Sequence, residues 1–269
     1  MAINHISLYD EGAAPTLDAP AVAAYLRART GCEAVAVRAP FLVEHSSAGF
    51  EAELASRLAR LKVRDVSSPP GESQPAYAEV AFERRRLASR DRGPFGVLYD
   101  GFAFQLLLRS LMPPAGVRLD RIHVAFTNRL IGTWDEDDRR YHLRAIILGL
   151  PAIISTTGLV EAPAKPREFY LARQQLAAAA RPEIADALLR EKLKGQFLDH
   201  DDPRLTEVVK GYAMQAIIYQ LTGEAFCPNP CCRLFNAHWQ EELLRAQIAS
   251  EREYCERHEE VLSRLRARQ

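Results

Sequence analysis

Four of the five cysteines of this chain lie between Cys227 and Cys255, and that clustering limits the fold more than any other feature. The run Cys227-Pro228-Asn229-Pro230-Cys231-Cys232 is followed, after a helix-length gap, by Cys255-Glu256-Arg257-His258. Two donor pairs, each closed by a short turn, are what a tetrahedral zinc ion requires, and the intervening segment lets the second pair return to the first. The prolines stiffen the first turn and so reduce the entropy lost on closing it. Cys255 and His258, three apart at the start of a helix, project to one side. The first pair is Cys227 with either Cys231 or Cys232, and His238 is a further candidate ligand. Four protein donors leave no open coordination position, so the pattern points to one structural zinc that supplies folding energy.

Composition sets the context for that site. Hydrophobic residues make up 48% of the 269 positions and charged residues 26%, enough for a sizeable core. Lys plus Arg and Asp plus Glu are both 35, which argues against a nucleic-acid partner. At the C-terminal end the arginines 252, 257, 264 and 266 alternate with glutamates, so the local field largely cancels. The N-terminus lacks a basic region followed by a long apolar run, and the apolar stretch from Ala145 to Ile154 is too short to span a bilayer. These features predict a cytoplasmic protein with neither a nucleic-acid nor a membrane partner.

Periodicity predicts an α/β chain. Strands are expected at Asn4 to Tyr9, Glu33 to Val37, Val97 to Tyr99 and Ile122 to Thr127. Helices are expected at Ala19 to Arg29, capped by Asp18, and at Glu51 to Lys62, Tyr77 to Leu87 and Phe102 to Met112. Arg140 to Leu148 and Pro151 to Thr156 read as two apolar strands joined by a tight connection. From Pro166 the chain reads as helical, with a break near Pro182 and a long apolar stripe from Leu205 to Tyr219 that ends near Gly223. Helices follow at Trp239 to Ile248 and Glu256 to Arg266.

The spacing Cys227-x4-Cys232 with Cys255-x2-His258 resembles the C-terminal structural zinc site of archaemetzincins, compact zinc metallopeptidases of the metzincin type. The segments Gly149 to Thr156 and Cys232 to Glu242 are similar to the same family, including an uncharacterised microbial branch labelled as metallopeptidases. The resemblance covers roughly residues 118–260. It implies a metzincin-like mixed, twisted sheet with covering helices and a zinc-stapled helical C-terminal region. It also implies one domain over 1–269, with an α/β part (1–117), a part holding the sheet and the active-helix equivalent (118–223) and a zinc subdomain (224–269). The zinc ligands it implies are Cys227, Cys232, Cys255 and His258.

The family's catalytic motif, H-E-x-x-H-x-x-G-x-x-H, is replaced. Counted back from Cys227, its histidines fall on Ala216, Gln220 and Phe226, its glutamate on Ile217 and its glycine on Gly223. None of those three residues supplies an imidazole, and Ile217 cannot move a proton on a zinc-bound water. The sequence therefore implies no metzincin catalytic residues, and a scaffold that binds an extended peptide or protein, with the strand from Ala152 to Gly158 as its exposed pairing edge. The competing expectation is a hydrolase with a rearranged metal site using His123, His142 or His200.

Overall fold

The computed structural model describes residues 2–46, 49–71, 74–89, 96–177, 188–189, 191–224 and 226–269. The expected break near Pro182 lies outside them. Strands β1 (His5–Asp10), β2 (Val35–Arg38), β4 (Arg121–Thr127), β7 (Ile146–Ile147) and β8 (Ala152–Ser155) form a five-stranded sheet in the order β2-β1-β4-β8-β7. The first four in that order are parallel and β7 runs antiparallel to β8. A second sheet joins β3 (Leu98–Asp100), β5 (Leu130–Asp135) and β6 (Arg140–Arg144) in the order β3-β5-β6.

Side-chain alternation along the central strands divides the core in two. Ile6 and Leu8 of β1, Ile122, Val124 and Phe126 of β4, and Ala152 and Ile154 of β8 face one cluster. Tyr9, Ala125 and Ile153, on the opposite pleats, face the other. A parallel sheet buried on both faces needs helices on both. The first face is covered by α1 (Ala19–Thr30) and α8 (Leu205–Thr222). The second is covered by α2 (Phe41–His45), α3 (Glu51–Arg60) and α5 (Gly101–Leu111). Helices α4 (Tyr77–Ala88), α6 (Thr156–Glu161), α7 (Arg167–Ala177), α9 (Gln240–Leu244) and α10 (Glu256–Arg266) complete the described set, and α9 continues into a π-helical turn over Arg245–Ala249.

The local signals explain several boundaries. Asp18 Oδ1 accepts from the Ala21 N–H and caps α1, and Asp100 does the same for α5 through the Ala103 N–H. Gly223 closes α8 at φ 79°, where its N–H donates to the Tyr219 carbonyl. The expected pairing of 140–148 with 151–156 is only partly present. Residues 146–147 do pair with β8, but 140–144 belong to the other sheet and pair with β5. The two-residue strand is held at its turn by Gln105, whose Nε2 donates to the carbonyls of Leu148 and Pro151 at 2.9 and 2.7 Å.

One polar cluster is buried where β1 and β4 end. The Arg129 guanidinium, 1% exposed, bridges Glu11 at 3.2 Å and Glu83 of α4 at 3.3 Å. Lys62 lies 3.1 Å from Glu83, and the Tyr99 hydroxyl donates to it at 2.6 Å. This network fastens α4 and the second sheet to the ends of the first. Among the described residues no helix is long and apolar enough to cross a membrane.

Truncating the central cation would remove one charged partner from each of two buried carboxylates. Arg129→Ala is therefore expected to lower the unfolding free energy by about 3 kcal/mol. Urea unfolding followed by circular dichroism measures it, and a loss below about 0.5 kcal/mol, the range of ordinary surface changes, would refute the structural role.

Candidate metal centre

The chain leaves α8 through Gly223 and turns back on itself at Cys227, whose N–H donates to the Leu234 carbonyl at 2.7 Å. Asn229 shapes the intervening turn. Its side-chain oxygen accepts from the Cys231 N–H, its carbonyl accepts from the Cys232 N–H, and its own N–H points at the Cys227 sulfur at 3.4 Å. Cys255 is the N-terminal cap residue of α10, and its carbonyl accepts from the N–H groups of His258 and Glu259. The helix then places His258 above Cys255, as spacing by three requires.

These elements bring Cys227, Cys232, Cys255 and His258 together, with one donor atom of each within 4.8 Å of all the others. Cys227 Sγ and Cys255 Sγ are 3.7 Å apart, Cys232 Sγ and His258 Nδ1 3.7 Å, and Cys255 Sγ and His258 Nδ1 3.1 Å. A zinc ion with bonds of about 2.3 Å to sulfur and 2.0 Å to nitrogen sets tetrahedron edges of about 3.8 Å (S to S) and 3.5 Å (S to N). The three distances lie within about 0.4 Å of those edges, and the sulfur–sulfur distance of 3.7 Å is far longer than a disulfide bond of about 2.05 Å. The cysteines are all free thiols. The donor set can hold a metal ion.

The electrostatics of the pocket fit the same reading. Burial pushes the Cys232 thiol up to about 12, and burial likewise raises Cys227. The two buried thiols, Cys227 and Cys232, therefore hold their protons at neutral pH unless a cation replaces them. Burial, followed by the charge of Arg257, lowers the His258 pKa, which favours the neutral imidazole that binds metals.

The metal cluster sits at the margin of the main core, not apart from it. Cys227, Cys232, Leu234, Tyr254, Leu262 and Leu265 pack in the same apolar cluster as α1, α8 and the sheet. Arg233, next to Cys232, reaches Glu207 of α8 and Glu253 and lies 5.3 Å over the Tyr25 ring of α1. Gln247, in the π-helical turn, donates to the Arg233 carbonyl at 2.7 Å. Gly211 of α8 makes room for it, since a Cβ there would overlap the Gln247 amide. The sequence does not mark out Arg233 and Gln247, because nothing in the pattern announces which buried polar side chain will bridge two helices.

The remaining expected ligands are placed elsewhere. Cys231 is exposed and outside the cluster, so the first pair is Cys227 with Cys232. His238 Nε2 lies 3.5 Å from Asn236 Nδ2 and is outside it too. His123 is buried on β4 between the Tyr9 hydroxyl (2.8 Å from Nδ1) and the Gly116 carbonyl (3.1 Å from Nε2), and burial pushes its pKa down to about 4. His142 pairs with Asp138 at 2.7 Å beside Asp135, at the turn of the second sheet. His200 lies 3.7 Å from Glu161. Among the described residues no metal-binding group contains two of His123, His142 and His200, but His142 does converge with Asp135 and Asp138, donor atoms within 4.8 Å of one another, in a group that could hold a metal ion. Asp202 serves the helix start instead: its carboxylate accepts from the Arg204 N–H and guanidinium just before α8.

The positions aligned with the catalytic motif are equally informative. Ala216 and Ile217 are buried in the main core, 4% and 0% exposed. Gln220 Nε2 donates to the carbonyls of Leu119 and Arg121 at 2.8 and 2.9 Å, tying α8 to the start of β4. Phe226 is exposed beside a cavity of about 150 Å³ that Arg144, Gln215 and His238 also line. The expected pairing edge is corrected here. Strand β8 is fully buried between β4 and β7, residues 156–161 are helical, and the sheet ends at the two-residue β7.

A family model described as "Probable metallopeptidase family (DUF6775)" matches residues 2–265 of the chain. No curated protein and no solved structure matches it.

Cys227→Ser and Cys255→Ser are each expected to lose the bound metal and lower the melting temperature, whereas Cys231→Ser keeps both. Elemental analysis with differential scanning fluorimetry checks this, and unchanged metal content in the first two would remove the site. Gln220→Ala should leave metal content unchanged, since its amide holds backbone carbonyls; a loss of metal would show that it is a ligand after all.

Proposed function

We propose that this chain, which belongs to the probable metallopeptidase family, is an archaemetzincin-like member that keeps one structural zinc, lacks metzincin catalysis and serves as a peptide- or protein-binding scaffold. The observation that carries the reading is the fate of α8. The helix and its Gly223 terminus are present, but the aligned ligand positions hold a buried methyl group, an amide committed to two carbonyls and an exposed phenyl ring. None can coordinate zinc, and the aligned base is the buried Ile217.

What supports a binding role is the surface around that helix. The cavity beside Phe226 is lined by Arg144, Ala145 and Ile146 as well as by α8 residues, so it opens next to the sheet's antiparallel edge. An extended segment laid there gains main-chain hydrogen bonds from β7 and places side chains against Tyr212 and Phe235. Zinc is the metal of choice because three thiolates and one imidazole in a tetrahedral cage match its ligand preference, and a closed cage contributes to folding.

Elemental analysis of the purified protein should find one zinc per chain, and the protein should release no fragments from a denatured protein substrate. Two metals per chain, together with hydrolysis that a chelator abolishes, would overturn the scaffold reading.

A further inference from the structure

We infer that the zinc cage is a thiol-redox site, at which a peroxide oxidises Cys255, joins it to Cys227 and expels the metal. This rests on the zinc reading above and extends it from a passive staple to a site of reversible chemical modification.

The four ligands are not equally protected. Cys232 and His258 are 0% and 3% exposed and Cys227 is 5% exposed, whereas Cys255 is only partly buried. Cys255 and Cys227 border a cavity of about 770 Å³ that opens to solvent, so a small oxidant has a path to these sulfurs.

The Cys227 sulfur lies 3.7 Å from the Cys255 sulfur and borders the same cavity. The Cys255 thiolate attacks one oxygen of hydrogen peroxide, the O–O bond breaks, and a sulfenic acid and a hydroxide result. The Cys227 thiolate then attacks the Cys255 sulfur, an S–S bond forms, and a second hydroxide leaves. Two sulfur atoms have together lost two electrons and the peroxide has gained them; two protons from solvent convert the hydroxides to water. The metal keeps only Cys232 and His258 as ligands, too few to retain it. A dithiol reductant reverses the step by thiol–disulfide exchange.

Cys231 gives the idea a sharp alternative. It borders the same cavity and is exposed, but it is outside the ligand set, so its oxidation alone would not disturb the cage.

The experiment counts zinc in the untreated protein, then titrates hydrogen peroxide while a chromogenic chelator reports released metal. Differential alkylation and mass spectrometry map the disulfides. Expected is zinc loss in step with a Cys227–Cys255 crosslink, full recovery after dithiothreitol and added zinc, and the same behaviour in Cys231→Ser. Zinc retained while Cys231 alone is oxidised would overturn the inference and leave the structural zinc standing. So would release accompanied by a disulfide through Cys231 or Cys232. Absence of zinc before any oxidant would overturn the zinc reading itself, and this inference with it.

Discussion

Strands β1, β4 and β8 run parallel through the middle of the molecule with apolar side chains on both faces. Parallel strands cannot be joined by tight turns, and a sheet without a wet face must be roofed twice. The chain meets both demands. Helix α1 crosses from β1 to β2 on one face, and α2, α3 and α5 build the opposite roof before β4 begins. Helix α8 returns much later to complete the first roof beside α1. Where the strands end, the Arg129 network ties the second roof to the sheet with charges that tolerate little displacement.

The Cys/His cluster depends on that first roof. Arg233 and Gln247 bridge the cysteine turn to α8, the Tyr25 and Tyr254 hydroxyls meet at 2.6 Å, and Arg266 reaches the Arg29 carbonyl. The last forty or so residues contain only short helices, too short to be stable alone. They are ordered because one side packs on α1 and α8 while four donors converge on the other. The turn that brings Cys227 and Cys232 into the cluster also holds the arginine that grips α8, so the convergence of the donors and the packing on that helix are linked.

Family membership and local chemistry point in different directions at α8. Helix α8 ends in a left-handed glycine shortly before the cysteine turn, and its Ala216, Ile217 and Gln220 are engaged in packing and in bonds to backbone carbonyls. Each replacement has a use of its own: Ala216 and Ile217 fill the core, and Gln220 holds the loop that starts β4. Such a helix is stabilised by what it covers.

The sequence by itself determined the periodic and the local: most strands and helices, the caps at Asp18 and Gly223, and the pairing of Cys255 with His258, because each is set within one or two helical turns. It also narrowed the cage to a few donors, since short cysteine spacings have few geometric solutions. Tertiary structure alone decided between Cys231 and Cys232, because consecutive residues in a turn point in different directions and only packing shows which is buried. It also decided which strand is the edge. An apolar run such as Ala152 to Ser155 reads alike whether it closes a sheet or lies within one, and the pairing of Ile146 and Ile147 along its side settles the matter. Likewise it split 140–148 between two sheets and separated His123, His142 and His200, since which residues meet across a fold depends on long-range packing that no local pattern encodes.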